Sequence, residues 1–221
     1  MKAGREEQQS VVETECPVKK QLLASWDRCW RMIGATGDGH DLLARLIAAY
    51  NEPQRKYHSE QHLTECLELF NRHRALAVEP AEVEMALWFH DAIYDTRVDD
   101  NEAKSAAWAA DELRQAGVGP KRISRVVDLI LATRHEALPQ GRDQQLLVDI
   151  DLAILGADLP RFEEYESQVR EEYSWVPDAI FLDKRRKVLS GFLARNPLYN
   201  TPRLREHLEH QARCNLERSL R

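Results

Sequence analysis

At 221 residues the chain is long enough for one well-buried domain, and 43% hydrophobic with 31% charged residues is a globular rather than a disordered composition. A net charge of -6 leaves no basic footprint for nonspecific nucleic-acid binding, and no apolar run approaches the ~18 residues of a membrane span. The four cysteines (Cys16, Cys29, Cys66, Cys214) form no C-x-x-C pair, and the polar first twenty residues lack the apolar stretch of a secretory signal, so free thiols in a reducing cytoplasm are expected.

Turn signals then cut the chain into helix-sized pieces. Residues 1–18 read as a flexible tail. A first amphipathic helix runs from Lys19 to Ile33 and is stopped by Gly34; a second runs from Asp41 to Asn51, before Pro53. Ser59 can cap a third that reaches about Arg74, and Pro80 fits the first turn of a fourth carrying Trp88, Phe89, His90 and Asp91. Asp100 can cap an alanine-rich fifth that ends at Gly117. Pro120 opens a sixth running to about His135. Gln144 to Leu155 form a seventh, stopped by Gly156. Asp158-Leu159-Pro160 start an eighth, Pro177 a ninth, and Thr201-Pro202 a last helix to about Leu220. β-Branched alternation is nearly absent. The expectation is an all-α bundle of nine or ten helices over 19–221. Its chemistry sits at about 55–160, and the helices after 160 pack on the core or mediate a homodimer.

Three helices carry polar residues where apolar ones belong. The fourth is apolar nearly all round and should be buried, with Val83, Leu87, Asp91 and Tyr94 on one face and His90 beside it. An unpaired carboxylate there costs several kcal/mol, so Asp91 needs a cation. On the third, Leu63, Cys66, Leu67 and Phe70 form the inward stripe, and His62 lies one turn before Cys66. On the seventh, Asp151 falls within the stripe of Leu147, Ile150, Ile154 and Leu155, which favours Asp151 over Asp149 as the inward carboxylate. Two imidazoles and two carboxylates suit Mn, Fe, Co, Zn or Mg. A cation of that kind can bring the pKa of water toward roughly 7.

The order His62, His90-Asp91, Asp151 resembles that of the HD-domain metal-dependent phosphohydrolases. "FHDAIYDT" is similar to a stretch of the alarmone hydrolases, and "YHSEQH" to one of the cyclic-nucleotide phosphodiesterases, with Ser59 where that family has asparagine. With "DNEAKSA", "DIDLAILG" and "NPLYNTP", the series looks most like a bacterial branch of predicted HD phosphohydrolases, over roughly Leu22 to Leu216. The resemblance implies an all-helical fold, a divalent metal on His62, His90, Asp91 and Asp151, and a nucleotide or other small phosphate ester as substrate. It also implies that His58 donates a proton to the leaving group.

Several residues stand between two readings. His58 is a general acid or a solvent-facing histidine before a helix. Asp95 orients the attacking water or a ligand histidine, or is a turn aspartate. His135 binds a second metal or a substrate phosphate, or is a histidine favoured at a helix C-terminus. Lys104 and Arg134 face the phosphate or are exposed helix cations. The alternative for the whole chain is a metal- or nucleotide-binding regulatory module without turnover.

Overall fold

The computed structural model describes residues 17–221, and over them every regular element is helical. In chain order the helices are α1 (Pro17–Ile33), α2 (His40–Tyr50), α3 (Glu60–His73), α4 (Pro80–Phe89), α5 (Asn101–Gln115), α6 (Pro120–Ala132), α7 (Gly141–Asp151), α8 (Leu159–Glu172), α9 (Asp178–Ala194) and α10 (Pro202–Ser219). Short 3-10 turns follow α3 (Arg74–Leu76) and α7 (Leu152–Gly156). The expected all-α bundle is what forms. Residues 1–16, with Cys16 and most of the expected tail, lie outside the described residues; Pro17 and Val18 already belong to α1, whose first turn suits a proline. No described helix is long and apolar enough to cross a membrane.

Helix α4 is the axis of the bundle. Every residue from Ala81 to Phe89 is buried, and α1, α3, α5, α6 and α7 all pack on it. That follows from a helix with no polar stripe to present to water. The edge-to-face contact of Trp26 and Trp88 seals α1 against it. Trp26, Trp30 and Trp88 are core residues; Trp175 is 48% exposed. Helix α10 closes over the turn after α7, where Gly156 is needed for lack of room: a Cβ there would lie 2.8 Å from the Cβ and carbonyl oxygen of Leu208.

Helix ends depart from the sequence reading in ways that matter for the site. Helix α4 stops at Phe89, so His90 is its C-cap and Asp91 lies in the turn beyond. Helix α6 stops at Ala132 rather than near His135, because His135 takes a left-handed backbone (φ 57°) that no helix continues. Helix α7 begins at Gly141 and ends at Asp151, where the chain tightens into the 3-10 turn. Ser59, Asp100 and Thr201 stand at N-cap positions but give no capping hydrogen bond; Asp158 does cap α8, accepting from the Arg161 N–H at 3.1 Å.

Candidate metal centre

Three helix termini converge beside α4. His62 comes from the first turns of α3, His90 and Asp91 from the end of α4, and Asp151 from the last residue of α7. His62 and His90 are buried, and Asp91 and Asp151 are nearly so. The His62 and His90 Nε2 atoms are 3.2 Å apart. Asp91 Oδ2 lies 3.1 Å from His90 Nε2 and 3.6 Å from His62 Nε2. Asp151 Oδ1 lies 3.2 Å from His62 Nε2 and 3.6 Å from His90 Nε2.

These separations have a simple meaning. Metal–ligand bonds near 2.1 Å give ligand–ligand edges of about 3.0 Å in an octahedron and about 3.4 Å in a tetrahedron. The imidazole–imidazole and imidazole–carboxylate separations, 3.1–3.6 Å, fall at or close to these edges. The orientation agrees: His90 Nδ1 donates to the Leu87 carbonyl at 2.8 Å, which aims Nε2 at the cluster. No lysine or arginine among the described residues ion-pairs with Asp91 or Asp151. Burial works against charge on His90, but the facing carboxylates outweigh it and raise its pKa well above the ordinary value. Burial likewise opposes ionisation of Asp91 and Asp151, and their histidine neighbours overcome it and pull both carboxyls down. The pocket therefore demands positive charge, and two imidazoles with two carboxylates are a donor set for a divalent cation.

A second set shares three of these residues. The donor atoms of His62, Cys66, His90 and Asp151 lie within 4.8 Å of one another. The Cys66 sulfur sits 3.7 Å from His62 Nδ1 and 3.8 Å from Nε2. The sequence reading places Cys66 in the core stripe only. Asp149 is elsewhere: its buried carboxylate accepts the Asn200 and Thr201 N–H groups at 3.0 and 2.5 Å, anchoring the "NPLYNTP" segment.

The loop that presents Asp91 is fastened at each step. The buried Arg55 guanidinium donates to the carbonyls of Asp91 (2.5 Å) and Ala92 (2.9 Å). Ser105 accepts the Ile93 N–H at 2.9 Å. Asn101 accepts the Asp95 N–H at 3.0 Å and donates to the Asp95 carbonyl at 2.9 Å. The "DNEAKSA" stretch is thus the clamp of the "HDAIYD" turn. Asp95 itself is exposed, and its carboxylate accepts the Arg97 N–H at 2.9 Å, closing a turn. It makes no contact with the cluster.

His58 is held by a residue the sequence reading missed. Glu172, at the end of α8, accepts the backbone N–H groups of Lys56, Tyr57 and His58 on one oxygen at 2.8–2.9 Å. Its other oxygen faces His58 Nδ1 at 2.8 Å and accepts the Tyr94 hydroxyl at 3.0 Å. The Tyr94 ring stacks on His58 with centroids 4.1 Å apart. Burial pushes the Glu172 carboxyl up, but His58 and the backbone donors win and bring it to about 2. Burial likewise opposes charge on His58, and Glu172 with Asp91 more than offsets it, raising the pKa. A signal was available: Glu172 completes the buried stripe Phe162, Tyr165, Val169 of α8.

His135 reaches the cluster through Asp151 Oδ2, 3.0 Å from its Nε2, and its Nδ1 is buried without a partner. Lys104 pairs with Asp100 at 2.7 Å and Arg134 with Glu136 at 3.0 Å; neither touches the cluster. A cleft of about 720 Å³ shares Tyr94 and Glu172 with the surroundings of His58 and is lined also by Lys56, Asp95 and Trp175, but by none of the cluster residues. No protein-family model matches this chain, and no curated protein or solved structure does either.

Proposed function

We propose that this chain is a metal-dependent phosphohydrolase of the HD-domain type, acting on a nucleotide or another small phosphorylated metabolite. The observation that carries the reading is the cluster itself: two imidazoles 3.2 Å apart, each with both carboxylates at 3.1–3.6 Å, and no lysine or arginine among the described residues to neutralise them. His62, His90, Asp91 and Asp151 hold the cation. A divalent cation there supplies Lewis acidity toward a phosphoryl oxygen and toward water.

The chain's own residues supply the rest. Glu172 fixes the His58 ring through Nδ1, which leaves Nε2 as the atom that delivers a proton to the departing oxygen. The raised pKa keeps His58 protonated nearer neutrality than a free histidine. Arg55, Asn101 and Ser105 hold the Asp91 turn against displacement when substrate binds. The order of motifs along the chain, with its resemblance to HD phosphohydrolases, supports the same assignment.

The test is hydrolysis of nucleoside phosphates, cyclic nucleotides and alarmones with each of Mn, Mg, Fe, Co and Zn. His90→Ala and Asp91→Ala should abolish turnover, and His58→Ala should lower it by about 10²–10⁴-fold. Equal turnover in wild type and both cluster variants removes the site from the reaction. Metal uptake with no product from any substrate favours the regulatory module instead.

A further inference from the structure

We propose that the Cys66 thiolate is itself a ligand of the cation at this site, and that it turns the site from an oxygen-rich one into a thiophilic one that prefers zinc or cobalt(II) to magnesium or manganese. The inference rests on the metal-centre reading above and goes beyond it in naming Cys66 as the donor that takes the place of Asp91, and the metals it selects.

Position carries the first part. Cys66 stands one helical turn after His62 on α3, so both side chains leave the helix on the same face. The sulfur is 2% exposed by residue and has the His62 ring as its only polar contact among the described residues. A tetrahedral shell with a Zn–S bond near 2.3 Å and a Zn–N bond near 2.1 Å has an S···N edge of about 3.6 Å. The Cys66 Sγ to His62 Nε2 distance is 3.8 Å. The sulfur stands within 4.8 Å of the His90 and Asp151 donors as well, so a small turn about the Cα–Cβ bond, the one that moves the sulfur, brings it to the shell.

Chemistry carries the second. A buried free cysteine is usually a small apolar filler, inert among aliphatic neighbours. Cys66 instead faces two imidazoles and a carboxylate, and the adjoining Tyr57 ring, 4.7 Å from His62, carries a buried hydroxyl with no partner. Coordination releases one proton from the thiol to solvent and forms the metal–sulfur bond. A dication with the Asp151 carboxylate and the Cys66 thiolate then sums to zero charge, which suits a buried site. Thiolate donors select zinc and cobalt(II); magnesium and manganese take carboxylate, carbonyl and water oxygens. His62, His90 and Asp151 are common to both donor sets, and Cys66 or Asp91 completes them.

The experiment is a cobalt(II) titration of the metal-stripped full chain followed by absorption. Visible d–d bands report that the site takes a metal. A near-ultraviolet sulfur-to-cobalt charge-transfer band reports a thiolate ligand. Both are expected in wild type. Cys66→Ser and Cys66→Ala should keep the d–d bands and lose the charge-transfer band, with zinc affinity falling about tenfold or more while that for manganese changes little. d–d bands without charge transfer in the wild type overturn the Cys66 assignment and leave the metal centre standing. Neither band at any cobalt concentration overturns the metal centre and the Cys66 assignment together. Because the deciding bands are read on the wild type, neither variant has to fold for the outcome to count.

Discussion

Helix α4 carries buried charge at both ends, and the two ends solve it differently. In its first half Glu82 and Glu84 are buried but each is met by arginines. Arg125 makes two contacts of 2.5 Å with Glu82; Glu84 takes Arg28 at 2.5 Å, Ser25 at 2.6 Å and Arg74. At its far end Asp91 and the neighbouring Asp151 meet only histidines. Desolvation penalises all of these carboxylates. Where the carboxylate is structural, the chain provides a permanent cation. At the cluster it provides titratable nitrogens with lone pairs to give away. Such a site could hold a cation that comes from outside.

The largest effect tests the first half. Arg125→Ala leaves the buried Glu82 with only Arg122, 3.9 Å away, and should lower the urea-unfolding midpoint of the metal-free chain more than any substitution in the cluster. The far end predicts the opposite dependence: zinc at about 100 times its Kd should add about 2.7 kcal/mol to wild-type stability, reversed by a chelator. His62→Ala and Asp151→Asn should lose that increment, whereas Arg125→Ala should keep it. If zinc stabilises the cluster variants as much as the wild type, the two ends do not differ as argued. A smaller effect is expected at Arg55, whose buried guanidinium serves three carbonyls, of His58, Asp91 and Ala92. Arg55→Met should cost about 2 kcal/mol through unsatisfied carbonyls and weaken metal binding by about tenfold, read by isothermal titration.

Much of this was legible in the chain. Prolines and glycines punctuate ten helices, and α4 announces its burial by lacking a polar stripe. His62, His90, Asp91 and Asp151 were identifiable because each interrupts an apolar pattern, and the fold brings those four together. What the sequence hid depends on loops folding against helix ends. Arg55 sits in "NEPQRKYH", which reads as a solvated turn, and is buried only because that turn packs on the end of α4. His135 looked like a helix terminus, yet its left-handed backbone turns the ring toward Asp151. Ser59 and Asp100 mark helix starts correctly, although their side chains do not cap. Local propensity fixed the position, and other contacts took the side chains. Glu172 was readable by the same stripe rule that singled out Asp151, applied to α8.

The smallest effect concerns the pair beside the cluster, where a titratable cation and a carboxylate do meet. His58 is raised above 6.5 and Glu172 lowered from 4.5 to about 2. A raised histidine contributes stability that is complete below pH 6.5 and fades as pH climbs through its folded value. A lowered carboxyl contributes stability that is complete above 4.5 and fades as pH drops toward 2. Their joint contribution is therefore greatest between pH 4.5 and 6.5. Because His40 and His90 are raised as well, the wild-type curve of metal-free protein mixes His58 with other histidines. Glu172→Gln separates them: it removes the charge facing His58 Nδ1 and leaves the carboxylates facing His90 in place. The stability difference between wild type and Glu172→Gln should shrink as pH rises above neutrality. The imidazole resonance of His58 should titrate at lower pH in the variant. A constant difference across that range, with an unmoved His58 titration, would mean that Glu172 holds the turn through its backbone donors alone and sets no charge on His58.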